Sequence, residues 1–441
     1  MLEAPIAATV LRLGWPNILM MVAQSATGLI ETWFLAKLGT DVLAGVAVVV
    51  PVLMLIQNMS GGAMGGGISS AIARALGAGD RAGADRIVRH AIVVNAVIGV
   101  VFSVVLLLAG RTLYSALGVH GAALDAALGY ANVLFAGVAL LCVMNAFASV
   151  IRGTGNMLVP GAVICGGALL LVPVSPCLIF GWGPFPALGV AGAAISLLIY
   201  YAIGTLVLGW YCLGHRNAAR LVAGRLDWAP MREILRVGGL ACLNPLMTNA
   251  LIALTAALVA RYAGTAALAG YGTASRLEYL LMPIAFGLGA PMVAMVSSNI
   301  GAGQFDRARQ IALVGGSIAF ALTESIGVLA ALWPEAWLRL FGDDAAMLAA
   351  GSTYLRIVGP FYGFFGLGFS LYFACQGAGR LKWPLLAVLL RLLIGAGLGA
   401  VALSTTGSMT LFFALAALGM ALYGLLVLWS VAAGTWFRSR T

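Results

Sequence analysis

Apolar residues along this chain gather into about twelve stretches of roughly 20 or more, each closed by a short polar segment; that is the length a helix needs to cross a bilayer core. The stretches lie near 14–36, 45–68, 90–110, 128–150, 158–180, 188–212, 238–260, 267–297, 311–333, 348–374, 384–405 and 410–434, and are numbered here as spans 1 to 12. Long consecutive spans with short connections read as helices, because lipid forces every backbone polar group to be paired within its own segment or within a closed barrel. The connections sort by charge. Seventeen of the 24 Lys and Arg residues fall at the termini and after spans 2, 4, 6, 8 and 10, whereas only Lys37, Arg111, Arg261 and Arg339 fall in the alternate connections. The positive-inside rule then places both termini in the cytoplasm, with the chain multi-pass in the plasma (inner) membrane. The last three cations, Arg276, Arg356 and Arg391, stand inside spans.

The pattern also repeats. G-A-G-D-R at Gly77 returns as G-A-G-Q-F at Gly301, and R-G-T-G-N-M-L-V-P, with Gly153 and Pro160, returns as Q-G-A-G-R-L-K-W-P, with Gly377 and Pro384. Both are offset by 224 residues, as are Tyr130 and Tyr354 or Gly118 and Gly342; L-G-T-D-V-L-A-G near Gly39 matches A-G-T-A-A-L-A-G near Gly264 at 225. Six spans are an even number, so the second copy starts on the same side as the first and the halves are parallel. Parallel repeats about an axis along the membrane normal are a transporter architecture. The expected organisation is a six-helix lobe over 1–213, a basic cytoplasmic linker over 214–236 and a second six-helix lobe over 237–441, around a central cleft.

Composition narrows the class further. The chain of 441 residues is 62% hydrophobic and 9% charged, against about 25% charged in soluble domains, which makes it an all-α integral membrane protein. Its N-terminus lacks the basic start and short apolar core of a cleaved signal, so the first span is expected to be retained. The net charge of +10 sits in short loops, which suits anionic lipid headgroups rather than nucleic acid. Six cysteines are scattered singly in apolar segments, and His90, His120 and His215 are dispersed, so no metal spacing and no disulfide framework is visible. No nucleophile, nucleotide or zinc motif is present, and enzyme chemistry, cofactors and an obligate protein partner are not expected.

Several of these segments together resemble the MATE (multidrug and toxic compound extrusion) family, nearest its bacterial DinF-like branch. The carriers are P-N-I-L…G-L-I-E-T-W-F-L-A-K-L-G-T-D-V-L-A-G from Pro16, A-R-A-L-G-A-G after span 2, I-R-G-T-G-N-M-L-V-P after span 4, and A-G-Y-G-T-A-S-R-L-E-Y…N-I-G-A-G-Q-F-D-R-A-R across span 8. The resemblance covers essentially the whole chain. It implies a secondary-active antiporter that exports organic cations and drug-like or metabolite compounds by alternating access, in exchange for H⁺ or Na⁺. Two departures matter. The first-span acid, usually Asp in that branch, is Glu31 here; and where its members often carry Asn and Asp-Pro in the fifth span, this chain has Leu171 and Ser175-Pro176. A hard cation takes several oxygens, so H⁺ is expected over Na⁺. The alternative within transport is a lipid-linked oligosaccharide flippase of the related superfamily, which commonly needs more cationic charge in the cleft.

Glu31 is the lone acid of an otherwise apolar span, and a carboxylate at a helix centre costs roughly 2.5–3.5 kcal/mol on insertion scales. Asn17, Gln24, Thr27 and Glu31 are spaced 7, 3 and 4 apart and share one helix face, so the four are read as the ion-coupling set. Only the first half carries this acid, since Ala256 stands at the matching place. In the second half Glu278 shares a face with Tyr271 and Met282 and is placed in the substrate cleft, with Phe361 and Phe365 of span 10 as aromatic surfaces for flat cations. Arg276, Glu324 and Arg356 are expected to form an internal charge network, and Arg391 to snorkel toward the headgroups.

Overall fold

Long apolar runs with no interior break give long helices, and the computed structural model, which describes residues 2–214 and 216–434, holds no β-strand among them. His215, Arg438 and Arg440 lie outside the described residues. Eleven helices are long and apolar enough to cross a membrane. Spans 1 to 3 are Ile6–Ala36, Thr40–Gly77 and Arg81–Ala116, and spans 5 and 6 are Leu158–Phe180 and Val190–Leu213. Spans 7 to 12 are Trp228–Gly264, Ala267–Gly301, Phe305–Leu332, Ala345–Gly377, Lys382–Thr406 and Met409–Ala432. Span 4 is a pair, Ala122–Ala136 and Val138–Gly153, bent by 48° at Gly137, and brings the total to twelve. Several helices run well past their apolar cores (span 2 starts at Thr40, not 45, and ends at Gly77, not 68) because polar ends continue a helix in water as readily as in headgroups.

Helix ends follow their sequences. Asp80 and Asp344 cap spans 3 and 10, accepting from the backbone N–H of Gly83 at 2.7 Å and of Met347 at 2.8 Å. Gly39 and Gly264 turn the chain between spans 1 and 2 and between spans 7 and 8 with φ of 123° and 79°, a region glycine enters without steric cost. These two are partners under the 225-residue offset.

The duplication extends to the packing. A Cβ added at Gly45 would stand 2.4 Å from the carbonyl oxygen of Ala123, and one at Gly270 would stand 2.4 Å from that of Met347. Gly153 lies in the same way against the Ser69 carbonyl, at 2.9 Å, and Gly377 against that of Val293, at 2.7 Å. Each second pair is the first moved on by 224 or 225 residues. Absent side chains let paired helices approach to backbone contact, as small residues do in membrane bundles.

Proline shapes span 7. The helix breaks at Cys242, between Trp228–Ala241 and the helix that starts at Leu243. Pro245 has no N–H for the Ala241 carbonyl one turn back; the Tyr372 hydroxyl of span 10 donates to that oxygen instead, at 3.2 Å. Spans 2 and 11 widen into π-helix at Asn58–Met64 and Leu393–Leu398.

Two compact units emerge, one of residues 19–239 and one of residues 1–18 with 240–441. The sequence suggested divisions in the loop at 214–236; the divisions observed fall inside helices, between Ile18 and Leu19 of span 1 and between Gly239 and Leu240 of span 7. The connecting segment is bonded to the first unit. Asp85 accepts from the Arg220 N–H at 2.7 Å, the His90 Nε2 accepts from the Asp227 N–H at 2.8 Å, and Arg74 pairs with Glu233 at 2.9 Å. His90 Nδ1 stands 2.6 Å from the Arg86 carbonyl. An N–H donor meets one ring nitrogen and a carbonyl the other, so the buried ring is the neutral tautomer protonated on Nδ1.

Candidate coupling and binding sites

In the unit of residues 19–239 the polar centre is Glu31. Its Oε1 is buried and has no hydrogen-bond partner among the described residues. Tyr130 of span 4 and Tyr201 of span 6, 2% and 4% exposed, lie within electrostatic reach of the carboxyl. Gln24, two turns earlier in span 1, faces the Tyr200 hydroxyl, and the Tyr200 and Tyr201 rings are 5.2 Å apart. The Thr27 hydroxyl is spent on its own helix, donating to the Ala23 carbonyl at 2.8 Å.

Asn17 falls in the other unit, where its amide donates to the Leu13 carbonyl at 3.2 Å and its Oδ1 is buried without a partner among the described residues. Gln24, Thr27 and Glu31 are thus in one unit and Asn17 in the other. In span 5 Leu171 is buried and Ser175 is paired with the Ser196 hydroxyl at 3.1 Å. The three tyrosines were missed in the sequence. Their signal was a hydroxyl in the middle of an apolar span, which needs a polar partner when buried.

A second carboxyl occupies the other unit. The Tyr354 hydroxyl of span 10 donates to Glu278 Oε1, and Arg391 Nη2 of span 11 stands 3.9 Å from Oε2. Tyr354 is the repeat partner of Tyr130, so the same tyrosine position serves an acid in each unit, although the acids come from spans 1 and 8. Tyr271 is buried against Tyr354 and Phe413, with ring centroids 5.2 and 6.3 Å away. Phe365 is buried and stacks on Phe369 at 5.6 Å, while Met282 and Phe361 are partly buried against the same core.

Two expectations for this unit need correction. Arg276, Glu324 and Arg356 form no ion pair among the described residues. Arg276 is exposed and lies 5.4 Å over the Phe341 ring, Arg356 is exposed, and Glu324 accepts from the Gly363 N–H at 2.7 Å. That N–H belongs to the first turn of a helix starting at Tyr362, where backbone donors lack an internal partner and a carboxylate suits the helix dipole. Arg391 does not snorkel; its side chain is 12% exposed and turns inward to Glu278, since a carboxylate across the bundle offers what the headgroups otherwise would.

Twelve apolar spans in two copies of one packing scheme, with an acid held inside the membrane-spanning part of each unit, define a polytopic membrane transporter. The chain belongs to the MatE family, whose family model matches residues 16–177 and 241–401; members of that family are transporters, not enzymes. Among similar proteins, the "FAD transporter" of Shewanella oneidensis is 26% identical over 83% of this chain and 81% of its own length. The "Probable multidrug resistance protein NorM" of Deinococcus radiodurans is 28% identical over 94% and 92%. A MOP superfamily transporter from Pyrococcus furiosus shares the fold with a TM-score of 0.89, at 22% identity over 98% of this chain and 96% of that one.

Proposed function

We propose that this chain is a proton-coupled antiporter of the plasma membrane, both termini cytoplasmic, that exports amphipathic organic compounds and uses Glu31 as its coupling carboxyl. The observation that carries the reading is the buried, unpartnered Oε1 of Glu31. No cation is paired with Glu31 among the described residues, and a charged group in apolar surroundings with no counter-charge is costly. The neutral carboxyl fits that setting; wetting from the cytoplasm lets the proton leave. Na⁺ is disfavoured because span 5 supplies Leu171 and Ser175, the latter already bonded to Ser196, where the resemblance leads one to expect further oxygens. The first-span acid keeps the DinF-like branch as the nearest part of the family.

Proteoliposomes loaded with a fluorescent organic cation test it, with FAD added to the panel because of the Shewanella relative's name. A pH gradient, acidic on the extracellular face, drives export through the wild-type protein, and a Na⁺ gradient at fixed pH does not. Robust Na⁺-driven export at fixed pH overturns proton coupling.

A further inference from the structure

Arg391 is where the second unit has chemistry that proton coupling does not use. Its guanidinium carries five N–H donors, and among the described residues none makes a hydrogen bond; the contact with Glu278 Oε2, at 3.9 Å, is an ion pair beyond hydrogen-bonding distance. The group is held by aromatic faces instead. Its Cζ lies 5.3 Å from the Phe365 centroid and 5.9 Å from that of Tyr423. Beside it is a cavity of about 280 Å³, lined by Asn244 and Thr248 of span 7, Phe365 and Phe369 of span 10, Arg391 and Tyr423. Phe365 and Phe369 are stacked with planes 23° apart, a flat apolar wall next to the guanidinium.

We propose that this cavity binds the acidic end of an organic anion, one aromatic ring bearing a carboxylate or phosphate. Such an acid takes two parallel N–H groups of one guanidinium edge, a match of shape and charge that Arg makes and Lys does not. Its ring lies against Phe365 and Phe369, and Asn244 and Thr248 offer polar contacts at the rim. Volume sets the size, because drug-sized ligands fill pockets of about 300–1,000 Å³, so the cavity takes one ring with its acid. Glu278, bonded to Tyr354 and 3.9 Å from Arg391, positions the empty guanidinium. The proposal rests on the reading of the chain as an exporter and names the charge of one class of its substrates.

Binding is measured apart from transport, with the purified full chain in nanodiscs of zwitterionic lipid and salicylate as a fluorescent one-ring acid. Wild-type protein binds salicylate saturably, benzylammonium at least tenfold more weakly, and inorganic phosphate competes poorly for want of a ring. Arg391→Gln weakens salicylate binding at least tenfold, Arg391→Lys restores part of it, and Phe369→Ala weakens it with the charge intact. Benzylammonium binding as tightly as salicylate in the wild type, a comparison that needs no variant, overturns the proposal. So does unchanged affinity in Arg391→Gln, or displacement of salicylate by anionic phosphatidylglycerol, which would assign the site to a lipid headgroup. Proton-driven export of the organic cation with no salicylate binding sinks this inference alone; salicylate binding with no export of any compound sinks the exporter reading alone.

Discussion

Glu31→Gln keeps size and hydrogen-bonding capacity and removes only the titrating group, so it separates folding from coupling. The variant is expected to insert and fold, since a neutral amide is no costlier than a carboxyl in that span, and to lose proton-driven export per folded molecule. Glu31→Asp is expected to keep part of it. Normal transport by Glu31→Gln would move the search for the coupling group to Glu278. Glu324 makes a contrasting case. It serves the Gly363 N–H, so Glu324→Ala should lower stability by about 1–2 kcal/mol, while Glu324→Gln, which still presents an oxygen, should cost far less. A destabilised Gln variant, read by thermal unfolding in detergent, would mean that the charge itself matters there. Glu31 was legible in the sequence because a single acid in an apolar span has no other reading. Arg391 was not. Its partner lies three spans away, and local periodicity cannot pair residues across a bundle, so a span-end cation was read as bound for the headgroups.

Helix pairs in both units meet through glycine, and this predicts symmetric damage. Gly45→Ala and Gly270→Ala each place a Cβ 2.4 Å from a backbone carbonyl, which cannot turn aside as a side chain can. Each should cost about 1–3 kcal/mol by overpacking, with similar losses of thermal stability; a large effect at one site and none at the other would show that the two packings are not equivalent. Span 7 gives a test of a different kind. Tyr372→Phe leaves the Ala241 carbonyl without its donor and should cost about 1–3 kcal/mol, but much less in a Pro245→Ala background, where the backbone N–H is restored. Additive losses in that double-mutant cycle would exclude the proline as the reason for the bond. The offset of the repeats was plain from motifs such as Gly77 and Gly301. The carbonyls that Gly45 and Gly270 press against were not, because sequence shows where a side chain is missing and not what fills the space.

At the scale of the whole chain, the connecting segment is fastened to one unit by Asp85 and His90. His90→Leu strands the Asp227 N–H and is expected to speed proteolytic cleavage within 216–227; unchanged cleavage would mean that the bond does not hold the segment. The larger consequence lies in the division of spans 1 and 7. The first 18 residues belong with residues 240–441, and the chain as far as Gly239 belongs with residues 19–213. Each copy of the repeat has lent the beginning of its leading helix to the other, the relation found between subunits that swap an arm, here closed within a single polypeptide. A gene cut in the connecting loop would therefore yield two fragments that each lack a piece of their own body and carry a piece of the other's. Such fragments should be unstable when expressed singly and should recover transport only when made together, which is how an obligate heterodimer behaves.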